Sequence, residues 1–181
     1  MFEIEIAGQA AAWFLHRERG PMPHLKLMKL LYIVERTSIQ KNGYPILGDK
    51  LFSMDHGPVL SITLNYMKGE FVSPENGWDK WVSPVQDHEV SLARKYNPED
   101  LNLLSDATLE VLIEVWNDFG QMDQWEIRDY THGFPEWQDP QGSSRIITYK
   151  ELLEALGYGE RSKEIAEELE AQRQVRRALL T

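Results

Sequence analysis

Ala7, Ala10, Ala11 and Phe14 recur at i, i+3, i+4 and i+7, which predicts an amphipathic helix from about Ile4 to Arg17. Gly20-Pro21 stops it. The small alanines in that stripe admit a close neighbour, and the next apolar run supplies one: Leu27, Leu30, Leu31 and Val34 repeat the spacing. A buried second helix is expected from about Leu25 to Lys41, closed at Asn42-Gly43 where glycine takes the left-handed conformation. Leu51 to Met54 is too short and turn-bounded for a helix and reads as a strand or extended segment. His56-Gly57-Pro58-Val59 follows, and proline's preset φ predicts a third helix beginning at Pro58 and running to about Lys68, with Gly69 as its stop.

Farther along, Trp81 to Val85 and Val90 to Arg94 alternate about the turn-like Gln86-Asp87-His88, the pattern of a small antiparallel hairpin, with Pro84 weakening its first strand. Asn97-Pro98-Glu99-Asp100 has the form of a helix start. Ser105 then caps a stronger helix whose expected core stripe is Leu109, Leu112, Ile113 and Trp116, ending at Gly120. Asp123 and Glu126 have capping-box spacing and open a helix through Trp125 and Ile127 to about Thr131. Gly133, Pro135, Pro140, Gly142, Ser143 and Ser144 then break any periodicity. Thr148 and Glu151 cap a short helix ending at Gly157, and a last helix starts near Ser162, its glutamates first and Arg173, Arg176 and Arg177 last, the order the macrodipole favours. The fold class expected is mainly α with a small β element: a compact helical domain over 1–158 and a C-terminal helix over 159–181, packed on the domain or on a partner.

The 181 residues suffice for one core, and the absence of cysteine excludes disulfides, thiolate metal sites and a cysteine nucleophile together. That usage fits a reducing compartment, and no stretch approaches the roughly 18 apolar residues of a spanning helix. A cytoplasmic protein without membrane partners is expected. With Asp+Glu 29 against Lys+Arg 19 the formal charge is −10, which disfavours direct nucleic-acid binding and favours a basic protein partner.

Catalytic signatures are missing: no HExxH pair, GxSxG elbow, P-loop or GxGxxG occurs. A small hydrolase or metal-dependent enzyme would have to assemble His56 and His132 with carboxylates such as Asp55 and Glu126. The simpler reading of both histidines is structural. His56, before a Gly-Pro turn, would bond backbone groups that proline leaves unpaired, and His132 would satisfy carbonyls at a helix end. Trp116 reads as core, whereas Trp137 stands in a loop and must fold back or await a partner; folding back is the expectation. Ile165, Leu169, Val175, Leu179 and Leu180 form no single clean stripe, so the last helix is a solvated tail or a docking segment.

Lys26-Leu27-Met28-Lys29-Leu30-Leu31-Tyr32 resembles the KLxKLLYY run of the Panacea domain, the SocA-like antitoxin family. Gly43-Tyr44-Pro45-Ile46 resembles its following turn, and His56-Gly57-Pro58-Val59 its (Y/H)GPV turn. Trp125-Glu126, Tyr130-Thr131-His132 and Pro135-Glu136-Trp137 resemble its later helix and THxxxPxW-like element. The order agrees over about residues 5 to 155. The resemblance implies a helical domain with a minor β element, no cofactor and no catalytic residue. It implies an antitoxin that neutralises a protein toxin by direct contact, with the toxin expected from an adjacent gene. His56, Gly57, Pro58, Trp125, His132, Phe134 and Trp137 are the candidate partner-binding residues, and Lys26, Leu30, Leu31, Tyr32, Gly57 and Pro58 the structural motif. Delivery of the toxin to a protease, with the last helix as handle, is the alternative binding role.

Overall fold

The computed structural model describes residues 3–179, with side chains described through 175. Helix α1 (Ile4–Glu18) turns its alanines inward, with Ala7, Ala10, Ala11 and Phe14 fully buried. Gly8 serves the same closeness: a Cβ there would meet Trp81 Cδ1 at 2.6 Å. β1 (Met22–Pro23) leads into α2 (His24–Asn42), which ends at Gly43 with φ 76°. Every residue from Lys26 to Glu35 on α2 is buried, and its neighbours include α1, α4 (Asp106–Phe119) and α5 (Gln124–His132). An all-round buried helix of this kind is the axis of the core.

Strands β2 (Leu51–Met54) and β3 (Gly57–Leu60) form an antiparallel hairpin, followed directly by α3 (Ser61–Met67). This corrects the helix expected from Pro58. Pro58 is strand, paired with Ser53, and the helix begins at Ser61. The strand tolerates proline because β3 lies at an edge of the sheet, with β2 as its one neighbour, so the missing N–H breaks no ladder bond. Asp49 provides the start signal for α3 instead, accepting from Ile62 N (2.9 Å), Thr63 N (2.8 Å) and Thr63 Oγ1 (2.8 Å).

The expected hairpin around Gln86-Asp87-His88 is present, with Asp87 (φ 50°) and His88 (φ 66°) both left-handed and Gln86 bridged to Glu89, the geometry of a two-residue primed turn. Farther from the turn its arms meet at the bridge Val82↔Leu92, and the tip strand β4 (Glu89–Val90) pairs with β1. Asn97 opens only a short 3₁₀ turn, Pro98–Asp100.

Helix α4 (Asp106–Phe119) is capped by Ser105, and α5 (Gln124–His132) and α6 (Tyr149–Ala155) both carry complete capping boxes, Asp123 with Glu126 and Thr148 with Glu151. The buried face of α4 is rotated from the expected stripe. Thr108, Val111, Leu112 and Val115 are buried, Leu109 and Trp116 are partly buried, and Ile113 is 42 % exposed. Strand β5 (Arg145–Ile147) joins β2 from the segment expected to be loop. Helix α7 (Ser162–Leu179) packs on α6 and buries Ala166 and Leu169. The calls on the side chains of Arg176, Arg177, Leu179 and Leu180 lie outside the described residues. With 54 % of residues helical beside sheets of two and three strands, the protein is mainly α with a small β element.

Candidate functional site

The polar groups of α2 point inward, and each fastens a different segment of chain. Lys26 Nζ donates to Glu18 (2.9 Å) and to the Gly120 carbonyl (2.9 Å), so one ammonium joins the end of α1 to the end of α4. Lys29, wholly buried, donates to the Pro58 carbonyl at 2.7 Å. Leu60 N–H meets Met28 Sδ at 3.5 Å. Two successive side chains of α2 thus occupy the Pro58 carbonyl and the Leu60 N–H of the β3 edge, and the proline nitrogen ahead of them offers no donor. An edge satisfied in this way does not recruit another strand.

One turn farther on, Tyr32 Oη donates to Glu136 Oε1 (3.2 Å), which also accepts from Arg36 Nε (2.8 Å). The Glu136 side chain has no exposed surface. Arg36 lies 4.2 Å above the Phe134 ring, and Tyr32 stacks on that ring at 6.2 Å. Buried Glu35 accepts from Ile46 N (2.8 Å), Leu47 N (2.8 Å) and Gly48 N (2.6 Å), and Ser38 Oγ donates to the Tyr44 carbonyl (2.8 Å).

Burial sets the ionisation of these groups. It lowers Lys29 to about 7, assisted by the positive charge of Arg128. It raises Glu35 to about 7 against the opposing pull of its three N–H donors. Burial, then the charge of Glu136, holds Tyr32 well above the usual phenol range. Burial also lowers His132, with Lys29 and Arg128 adding to the effect.

The pH dependence follows with opposite signs. Between about pH 7 and 10.5 the unfolded chain keeps a proton on Lys29 that the folded chain has released, so stability rises with pH there. Between 4.5 and about 7 the folded chain holds the extra proton on Glu35, and stability falls as pH rises. Urea unfolding of Lys29→Met should lack the alkaline rise, on the order of a few kcal/mol. An unchanged alkaline limb in that variant would contradict the assignment.

Gly57 sits where α2, α5 and the hairpin converge. Its φ is +93°, and a Cβ would lie 2.9 Å from Thr131 Oγ1, 3.0 Å from Lys29 Nζ and 3.2 Å from His132 Cδ2. Leu30, Leu31 and Tyr32 are buried, as are Gly57 and Pro58. Trp137 folds back as expected: its Nε1 donates to the Met54 carbonyl at 3.0 Å and its ring stacks on His132 at 4.1 Å. His56 is exposed at the tip of the hairpin and makes no hydrogen bond within the described residues, which corrects the backbone bond expected of its ring. Trp125 (49 %) and Tyr130 (47 %) are exposed on α5, and Phe134 is half-buried beside Tyr130.

The hydrolase constellation does not come together. His132 abuts Gly57, but Glu126 lies six residues back along α5, roughly 9 Å along the axis. Its carboxylate accepts from Asp123 N, and Asp55 accepts from Gly142 N. No three His, Asp or Glu side chains among the described residues are grouped to hold a metal ion.

Lys29, Glu35, Arg36 and Glu136 carry most of this arrangement; Lys29 and Glu136 entered the sequence reading only as members of motif runs, and Glu35 and Arg36 not at all. The available signal was charge at core-facing positions: Lys26, Lys29 and Glu35 interrupt an otherwise apolar run. Such residues are costly to bury unless partnered, so each announces a partner elsewhere in the chain.

No curated protein and no solved structure matches the chain. The profile described as antitoxin SocA-like, Panacea domain, matches residues 27–138, which is more than half of the chain and runs from the start of the α2 motif through the Glu136-Trp137 segment that α2 holds in place. The chain belongs to the SocA-like, Panacea-domain antitoxin family.

Proposed function

We propose that this antitoxin-family protein neutralises a cognate protein toxin by direct binding, without catalysis, and that the toxin is encoded by an adjacent gene. The observation that carries this reading is the division of labour in the fold. Lys29, Tyr32, Gly57 and Pro58 of the motif runs are buried, and Lys29 and Tyr32 are spent on fastening Pro58 and Glu136 to α2. What remains for recognition is surface, and that surface is acidic overall, with a formal charge of −10. An acidic surface suits a toxin with a basic face, whose approach it would speed and orient.

The contact region we favour is the exposed part of α5 and the loop after it, with Trp125 and Tyr130 on two sides of the helix and half-buried Phe134 beside Tyr130, since aromatics are preferred anchors in interfaces. His56 extends it at the hairpin tip. Gly57, Pro58, His132 and Trp137 then act from behind, by setting the positions of that tip and of the loop after α5. No helix among the described residues is long and apolar enough to cross a membrane, which is compatible with action in the cytoplasm.

Expression of the adjacent reading frame alone and together with this chain is the first test. Growth arrest relieved by the chain is expected. A neighbour that is harmless alone, or that stays toxic beside this protein, would sink the proposal.

A further inference from the structure

Asp118 occupies a place that local physics disfavours. It lies in the last turn of α4, where the macrodipole is negative, and that turn has no basic residue. It is exposed and has no ion-pair partner among the described residues. A charge set against its own helix, with no compensation inside the chain, is the kind of local conflict that functional surfaces carry.

Asp118 also borders a groove of about 340 Å³ between α2, α4 and α5, whose lining includes Arg36, Phe119, Tyr130 and Phe134. The rings form a continuous aromatic wall, with Tyr130 4.9 Å from Phe119 and 5.5 Å from Phe134. Arg36, stacked on Phe134, already shows that this wall accepts a planar cation, but that guanidinium is committed to Glu136. On the other side Lys41 is tied to Glu114. The acid left without a partner in the groove is Asp118.

We infer that this groove receives an arginine side chain from a basic segment of the partner protein, its guanidinium stacking on Tyr130 and pairing with Asp118. Charge complementarity selects a cation, and the exposed ring of Tyr130 beside Asp118 selects arginine over lysine, because a planar guanidinium stacks on an aromatic face where an ammonium does not. The inference rests on the reading that the chain binds a protein directly, and it names the chemistry of the contact.

The test is nuclear magnetic resonance of the full chain titrated with a short arginine-containing peptide, beside the same peptide carrying citrulline or lysine. Shifts concentrated at Asp118, Phe119, Tyr130 and Phe134 are expected with arginine, at least fivefold weaker binding with lysine, and none with citrulline. Asp118→Asn and Tyr130→Ala should each weaken the arginine peptide at least fivefold while thermal melts stay within a few degrees of the parent. Glu75→Asn, which removes an equal charge outside the groove, should bind as the parent does. Shifts outside the groove, no shifts at all, or equal shifts with citrulline would overturn the inference. Failure of toxin neutralisation is recorded separately, by growth, and leaves the peptide result standing.

Discussion

Gly57→Val is expected to destabilise the protein by about 3 kcal/mol or more, and to remove any activity that depends on the hairpin tip. Two costs add. The +93° φ of Gly57 is strained for any side chain, by roughly 1–3 kcal/mol, and most so for a β-branched one. The new Cβ would also stand 2.9 Å from Thr131 Oγ1 and 3.0 Å from Lys29 Nζ, contacts that require movement of α5 or α2, a cost of roughly 1–3 kcal/mol more. Lys29 has little room to yield, because its ammonium is the donor to Pro58 O and has no water to turn to. Chemical denaturation measures the result directly. A midpoint unchanged from the parent would refute the packing role given to the glycine. Gly57→Ala should lie between the two, since it keeps the strain and the Cβ but omits the branches.

The second large effect belongs to Glu35. Its carboxylate is the shared acceptor for the N–H groups of Ile46, Leu47 and Gly48. Glu35→Ala leaves these donors without an acceptor in a region where Leu47 is 1 % exposed. At roughly 1–3 kcal/mol for each buried unsatisfied group, and with some water entering, a loss of about 3 kcal/mol or more is expected. Glu35→Gln keeps an acceptor oxygen and should recover part of it. The same variant should also lose the fall in stability between pH 4.5 and about 7, because it lacks the group that takes up the proton on folding. Equal stability of Glu35→Ala and parent would show that the turn after Gly43 is held by something else.

These predictions locate what could be read from sequence. Helices α1, α2, α4, α5 and α6 were legible because their signals are local: alanine spacing in α1, Gly43 after α2, Ser105 before α4, and two capping boxes. Pro58 misled because proline's fixed φ suits a helix start and an edge strand equally. The choice between them was made by Lys29 and Met28, 29 and 32 residues away from the groups they meet in the chain. Strand β5 has only three residues, too few for alternation to show, and owes its existence to pairing with β2. The buried face of α4, which packs on α2, takes in Thr108 and Val115, while Ile113 is left 42 % exposed at its margin.

The site was legible in a narrower sense. The motif residues were visible as an ordered set, and their aromatic members Trp125 and Phe134 lie on the surface we assign to the partner. The inward turn of Trp137 was foreseen, but its partners Met54 and His132 were not, and neither was the convergence of α2 and α5 on Gly57. Asp118 drew no attention for the converse reason: nothing in a sequence marks an acid as unpaired until its surroundings are known.

Direct, non-catalytic binding is the central claim, and it is tested most directly with purified components. The chain and the purified product of the adjacent reading frame, mixed with no protease or other factor present, should form a stable complex by light-scattering chromatography, and the chain should suppress that product's toxic activity in stoichiometric amounts. Rescue of growth in cells without a complex between the purified proteins would contradict the account and point to delivery through a third component.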